Sequence, residues 1–173
     1  MSMQQIILSG IGGQGVLFVT RLLAETALEL QHPVLISETH GMAQRGGNVI
    51  SHLKIGAGFT SPLIRPGRAD VFLGFHPDAM QVHGFYLKPG GRAFCNASPS
   101  DSPFSIDATS AALAMGSPVS ANLILVGAAA ASGILFCRAT DLEKTLRRLG
   151  GQKTEINLLA FRRGIELFQG AGP

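Results

Sequence analysis

A chain of 173 residues has room for one domain, and 46% hydrophobic residues supply a full core, which excludes intrinsic disorder. Charged residues make up only 14%, against roughly 25% in ordinary globular proteins, so much of the surface is expected to lie against a partner chain. The net charge of +3 arises from scattered basic residues, and with no Trp and one Tyr the chain lacks both the clustered basic face and the stacking platforms of a nucleic-acid binder.

The first expected element is a buried strand, Gln5-Ile6-Ile7-Leu8-Ser9, which stops at glycine. Gly10-Ile11-Gly12-Gly13-Gln14-Gly15 follows, and apolar residues then recur at helical spacing from Val16 to Leu30. Pro33 ends that connection, and Val34-Leu35-Ile36-Ser37 is a second apolar strand. Strand, helix and strand read as a right-handed βαβ unit with parallel pairing. Residues Glu38 to Gly47 are polar and glycine-rich with neither period, so they form a loop of functional character. Asn48 to Ile55 alternates as a strand, Gly56-Ala57-Gly58 turns, and Ser61-Pro62-Leu63-Ile64 is expected to return as a short edge strand, closing a hairpin. Ala69 to Gly74 is another buried strand, and a short helix starts at His76-Pro77, with proline suited to a first turn. Lys88-Pro89-Gly90-Gly91 turns into Arg92-Ala93-Phe94, and Ser105-Ile106 is a last short strand.

Helices dominate the remainder. Asp107 or Thr109 caps Ala108 to Met115, and Asn122 to Ser132 is a small-residue helix. Thr140 or Asp141 caps a helix to Leu149, which Gly150-Gly151 stops, and Lys153 to Phe168 is amphipathic. The expected fold class is α/β: one three-layer α/β/α domain over residues 1–173, with a Rossmann-like βαβ start and a mixed sheet. Its central strands are expected at Ile6–Leu8, Val34–Ile36 and Val71–Leu73. From Ala108 to Cys137 there is no charge, but Gly, Ser, Pro and Asn interrupt this stretch and Ala dominates it. It reads as a tightly buried helix rather than a membrane span. Close backbone approach across Asn122–Ser132, or the apolar residues Leu158, Leu159, Phe161, Ile165 and Phe168, would serve a homodimer or a larger partner.

Cys95 and Cys137 stand 42 residues apart, too few for a cluster and suited to a reducing cytoplasm. The first positive side chain is Arg21, so no secretory n-region is expected and the localisation is read as cytoplasmic. The five histidines share no metal-ligand spacing, and no G-x-S-x-G or nucleophile–base pair is evident.

Two segments carry candidate chemistry. In Gly10-x-Gly12-x-x-Gly15, one glycine permits the tight turn, one lets backbone approach a phosphate, and one lets the helix pack closely. The N–H groups of Gln14, Gly15 and Val16 would face an anion at the helix N-terminus. Glu38 lies 23 residues after Gly15, where a dinucleotide fold places its ribose-binding acid. Against that, Gly13 and Gln14 crowd the loop, and a loop and hairpin replace the second crossover helix; a tight turn that binds nothing is the bland alternative. The second segment, Glu38-Thr39-His40-Gly41-Met42-Ala43-Gln44-Arg45-Gly46-Gly47, offers a guanidinium fork beside free backbone for a phosphate or carboxylate. An internal Arg45–Glu38 ion pair would shape the loop equally well.

Together, GIGGQGV and ETHGMAQRGGNV resemble the gamma subunit of the 2-oxoacid:ferredoxin oxidoreductases. The run Gly41 to Gly47 is most similar to the small (beta) subunit of the indolepyruvate branch. The likeness continues through Gly67-x-Ala69-Asp70, Asp107-Ala108, Gly116, Asn122, Gly127, Asn157, Ala160-Phe161 and Gly164. It implies a role in oxidative decarboxylation of a 2-oxoacid to acyl-CoA, CO2 and reduced ferredoxin, the chain alone being inactive. Thiamine diphosphate, Mg and iron–sulfur clusters would lie in a larger partner subunit, which ferredoxin meets. This chain would cover the active site and bind no cofactor tightly, taking coenzyme A as co-substrate. The implied binding residues are Gly10, Gly12, Gly13, Gln14, Gly15, Glu38, His40, Gln44, Arg45, Gly46, Gly47 and Asn122. One departure is His76, where relatives often carry an acid before the proline. Two rivals stand beside this reading: a free-standing NAD(P)-binding dehydrogenase, and an assembly subunit without a ligand.

Overall fold

The computed structural model describes residues 3–39, 46–98 and 105–170. Its strands are β1 (Gln4–Ile11), β2 (Val34–Thr39), β3 (Asn48–Ile55), β4 (Ala69–Gly74), β5 (Leu87–Asn96) and β6 (Ser105–Ile106). Its helices are α1 (Val16–Glu29), α2 (Ala79–His83), α3 (Ala108–Ala114), α4 (Ala121–Ala131), α5 (Ala139–Leu149) and α6 (Thr154–Gly170). Single 3₁₀ turns stand at Gly84–Tyr86, Pro118–Ser120 and Gly151–Lys153. The strands form one mixed sheet in the order β2-β3-β1-β4-β5-β6. The expected α/β class with a mixed sheet is what the chain adopts.

Several local expectations need correction. β1 and β2 run in the same direction but are not neighbours, because β3 pairs antiparallel with both and lies between them. Val34–Ile36 is therefore in an edge strand, and the parallel neighbour of β1 is β4. The hairpin is also misplaced: β2 and β3 form it through the segment containing Glu38–Gly47, whereas Gly56–Gly58 leads into a loop in which Ser61–Ile64 forms no strand. The turn at Gly56–Gly58 is as expected, but Lys88–Gly91, expected as a turn, lies inside β5, and which strand returns beside which is decided by burial far along the chain. Another concerns α5, whose N-cap is Arg138. Asp141, inside the first turn, accepts from the Arg138 N–H at 3.0 Å and from its guanidinium at 3.1 Å. The acid thus serves as the returning half of a capping box. The cap on α3 is as expected, with Asp107 Oδ1 accepting from the Ser110 N–H at 2.9 Å.

The sheet's two faces are covered unequally. Ile6, Leu8, Leu53, Ile55, Val71, Leu73 and Phe94 face α1, α3, α4, α5 and α6 in the main core. Ile7, Ile50, Phe72 and Cys95 face the other way, under Ile64 of the 56–68 loop and Ala79 of α2. The small-residue helix is consumed internally. Asn122 to Ala130 of α4 are all buried, and α4 crosses α6 at Gly127 and Gly164. A Cβ on Gly127 would overlap the Phe161 carbonyl oxygen, and one on Gly164 the Ile124 carbonyl oxygen. The uncharged stretch thus packs against its own chain, and α4 offers no surface to a dimer. Among the described residues no helix is long and apolar enough to cross a membrane.

This crossing generates a test. Because the opposing atoms are backbone on both helices, neither can yield locally, so Gly164→Ala must push α6 off α4. The expected loss is at the upper end of overpacking, about 3 kcal/mol, which lowers Tm by roughly 6–12 °C for a chain of this size. Thermal unfolding followed by circular dichroism reads it, and a Tm within 2 °C of wild type contradicts the packing.

Candidate functional site

The C-terminal ends of parallel strands β1, β4 and β5 open at one edge of the domain, the position where open α/β sheets hold ligands. β1 marks a switch there, antiparallel to β3 on one side and parallel to β4 on the other. The glycine loop continues from β1, and its backbone is held by local bonds. The Ile11 N–H donates to Gln14 Oε1 at 2.9 Å, and the Gln14 N–H returns to the Ile11 carbonyl at 3.2 Å. Gln14 is therefore not one of the free donors expected from the sequence. The Gly15 and Val16 N–H groups have no backbone acceptor among the described residues.

Gly15 must be glycine for two reasons. Its φ of 74° lies in the left-handed region, and Asn122 seats its Nδ2 directly against it, where a Cβ would collide. Asn122 Oδ1 meanwhile accepts from the Leu123 N–H at 2.8 Å, which orients the amide at the start of α4. The end of the second glycine-rich segment also reaches this loop: the Gly12 N–H donates to the Gly47 carbonyl at 2.9 Å.

The structure thus brings together Gly10, Gly12, Gly13, Gln14, Gly15, Gly46, Gly47 and Asn122 of the expected set. Three clefts open on them. One of about 270 Å³ lies between Gly13, Gln14, Phe75, Asn96, Thr109 and Asn122. A second, about 360 Å³, is lined by Ser9, Gly10, Gly46, Asn48, His76 and Asp78. A third, about 210 Å³, is lined by Gly15, Phe18, Val119, Asn122, Lys153 and Asn157. Glu38 is not part of this assembly. It stands on β2 opposite Ser51, which in turn faces Leu8, so it lies two strands from β1 and below the level of Gly10. Two inter-strand steps amount to about 9.6 Å, which removes the acid from the position a dinucleotide ribose requires. His40, Gln44 and Arg45 lie outside the described residues.

Several lining residues were missed from the sequence. Asn96, ending β5, donates through Nδ2 to the Phe75 carbonyl at 3.3 Å and to Thr109 Oγ1 at 2.9 Å. Its Oδ1 accepts from the Ala108 and Thr109 N–H groups at 3.0 and 3.2 Å. One amide thereby ties β4, β5 and the start of α3 into a cleft wall; its only sequence signal is a polar residue terminating an apolar run. His76 is anchored by its Nδ1, which accepts from the Asp78 N–H at 3.2 Å. Lys153, expected only as the start of a surface helix, brings a cation to the third cleft.

Beneath the second cleft are two histidines held neutral. Ser9, 1% exposed, lies with its Oγ 2.7 Å from His83 Nδ1. His52 Nδ1 accepts from the Ile64 N–H at 3.1 Å, and its ring meets Tyr86 edge-on at 5.1 Å. Burial lowers both pKa values from the ordinary 6.5, and for His52 the nearby His83 and Lys54 add to the effect.

Comparison with known proteins agrees along nearly the whole chain. A family model described as pyruvate ferredoxin/flavodoxin oxidoreductase matches residues 5–167. The indolepyruvate oxidoreductase subunit IorB of Thermococcus kodakarensis is 29% identical over 189 aligned positions, covering 93% of this chain and 94% of its own. The IorB subunit of Methanothermobacter thermautotrophicus is 30% identical over 188, covering 92% and 95%. Among solved structures, the keto/oxoacid ferredoxin oxidoreductase gamma subunit of Geobacter sulfurreducens has a TM-score of 0.78 at 25% identity, over 99% of both chains. The 2-oxoglutarate:ferredoxin oxidoreductase of Magnetococcus marinus, solved with 2-oxoglutarate, coenzyme A and succinyl-CoA bound, has the same fold, with a TM-score of 0.80 at 21% identity. The match covers 98% of this chain but 32% of that one.

Two tests follow from the site. Gly15→Ala incurs the left-handed cost of about 1–2 kcal/mol together with displacement of Asn122. Adding Asn122→Ala should return only the second part, a coupling of about 1 kcal/mol in a double-mutant cycle read by urea unfolding. A strictly additive pair would contradict the contact. The histidines set the other. With folded pKa values below 6.5, the unfolded chain binds more protons, so their contribution is complete above that pH and is lost as pH falls beneath it. Protonation also removes the acceptor of the Ile64 N–H. The urea midpoint should fall between pH 7.5 and 5, and His52→Gln should flatten that slope.

Proposed function

Because the chain belongs to the pyruvate ferredoxin/flavodoxin oxidoreductase family, we propose that it is the small subunit of a 2-oxoacid:ferredoxin oxidoreductase, with indolepyruvate as a substrate. Its task is to cover the active site and hold coenzyme A, the acceptor of the acyl group. The reaction converts a 2-oxoacid, coenzyme A and two oxidised ferredoxins to acyl-CoA, CO2, two reduced ferredoxins and a proton. The observation that carries this reading is the convergence of both glycine-rich segments, through the Gly12–Gly47 bond, on clefts at the ends of the parallel strands.

A nucleotide-bearing thiol that accepts the acyl group needs anion recognition at one end and a dry, shaped channel at the other. The N–H groups of Gly15 and Val16, with Lys153 near them, supply the first. Phe75, Asn96, Thr109 and Asn122 shape the second without a charge. Decarboxylation and electron transfer are assigned to a larger subunit bearing thiamine diphosphate, Mg and iron–sulfur clusters. Bound there, thiamine diphosphate would supply carbanion stabilisation and the clusters a route for electrons. This chain's thiols do not suit cluster ligation: Cys95 and Cys137 are buried, and burial pushes them up to about 11 and about 12. No group of three or more His, Cys, Asp or Glu converges among the described residues. The dehydrogenase alternative loses its main support with Glu38 two strands away.

Arg45 provides the experiment, as a cation of the segment that ends at Gly47. A charge-assisted hydrogen bond contributes about 1.5–3 kcal/mol, roughly a ten- to hundred-fold change in affinity. Arg45→Ala in the assembled enzyme should weaken coenzyme A binding by that factor while the 2-oxoacid still reduces the clusters in the first half-reaction. Stopped-flow resolution of the two halves measures it. An assembled mutant with unchanged coenzyme A dependence removes Arg45 from the site, and one that fails to assemble makes the residue a shaper of its loop.

A further inference from the structure

All of the net charge lies in one segment. Residues 54–92 hold five basic side chains (Lys54, Arg65, Arg68, Lys88, Arg92) against Asp70 and Asp78, and the rest of the chain holds nine basic and nine acidic. On the helical face several charges are matched in place. Arg148 bonds Glu29 and Glu25 at 2.8 and 3.0 Å, Arg162 bonds Glu143 at 2.9 Å, and Arg163 bonds Glu166 at 3.1 Å. On the opposite face Lys88 pairs with Asp70, but Arg65 and Arg68 are exposed and have no acidic partner among the described residues.

Large apolar side chains stand exposed on the same face: Phe85 at 57%, Leu63 at 54% and Met80 at 38%. They are contiguous with the arginines. The Gly67 and Arg68 N–H groups donate to the Phe85 and Tyr86 carbonyls at 2.9 Å each, and the Phe85 and Tyr86 rings lie 4.5 Å apart. Met80 reaches Gly84, just before them. Arginines beside aromatic and methionine side chains, with little cover from the fold itself, are the composition of an interface rather than of free surface. The face also borders the cleft lined by Ser9, Gly46, His76 and Asp78, since α2 contributes Ala79 and Val82 to that cleft and Met80 to the patch.

We propose that the face formed by Leu63, Arg65, Arg68, Met80 and Phe85 is the seat of the larger subunit, which meets it with carboxylates around an apolar centre. This rests on the subunit reading above. A chain that completes the reaction must approach the cleft, and docking here brings its surface to the cleft wall. Phe85 is the anchor, and the two arginines set orientation and speed the encounter.

The test co-expresses the chain with a tagged larger subunit and measures association. Arg65→Glu/Arg68→Glu should weaken binding by at least about tenfold, with wild-type binding falling as salt rises. Phe85→Ser should weaken binding as much while the dependence on salt stays as in wild type, Arg65→Lys/Arg68→Lys should bind, and Lys144→Glu/Arg147→Glu on the helical face should bind as wild type. Because the altered side chains are exposed, each isolated variant should keep its Tm. As a measurement free of mutation, hydrogen exchange should slow on assembly across 63–68 and 80–86. Full assembly of the charge-reversed variant, or no protection in those segments, overturns the docking face and leaves the subunit reading intact. A wild-type chain that never binds the larger subunit overturns both.

Discussion

The antiparallel return of β3 alongside β1 is the constraint from which the site follows. Eight residues pair in register, from Gln4 opposite Ile55 to Ile11 opposite Asn48. This register places the start of β3 beside the end of β1, so the segment entering β3 must come down next to the glycine loop. The Gly12–Gly47 bond is the consequence. The same insertion pushes β2 to the edge and carries Glu38 with it. One pairing therefore both builds the site and dismantles the dinucleotide geometry that the glycine fingerprint suggests. A one-residue slip of β3 against β1 would turn His52 and Lys54 towards the helices and Leu53 and Ile55 away from them, so the alternation within β3 locks the register.

Helix packing fixes the other side of the site. The position of Asn122 against Gly15 depends on where α4 lies, and α4 is located by its contact with α6 at Gly127 and Gly164. These glycines lie far from the clefts and touch nothing in them. They let two backbones approach so closely that the start of α4 reaches the glycine loop. Small residues at such a crossing act on function through position, since a shift of α4 by a fraction of an ångström moves the amide that shapes two of the clefts.

What was legible in the sequence was local. Short apolar runs identified β1 and β4, alternation identified β3, and Asp107 announced the start of α3 through its side chain's reach to Ser110. The glycine loop and Asn122 were recognisable as parts of one site through resemblance. Strand neighbours were not legible, because β1 and β2 are equally apolar whether or not a third strand separates them. The roles of Asn96 and Lys153 were hidden for a similar reason: each is an ordinary polar residue whose meaning comes from elements distant in sequence, Asn96 through α3 and β4, Lys153 through the cleft it shares with Gly15, Phe18 and Asn122. The cap on α5 was misread because Asp141 acts from inside the first turn, where spacing alone does not distinguish it from a cap.

The low charge has two sources that composition cannot separate. One is internal: the uncharged residues from Ala108 to Cys137 include α4, which is sandwiched among its own chain's elements and needs no partner to be buried. The other is the distribution of what charge remains. The helical face carries most of the ion pairs, whereas the face under α2 and the 56–68 loop carries unmatched arginines beside exposed aromatic surface. A partner needed to hide surplus apolar area would be sought on the helices, where the sequence is most apolar. The structure qualifies that expectation, because the most apolar helix is already inside, and the apolar surface that is flanked by unmatched arginines lies across the sheet and next to the cleft.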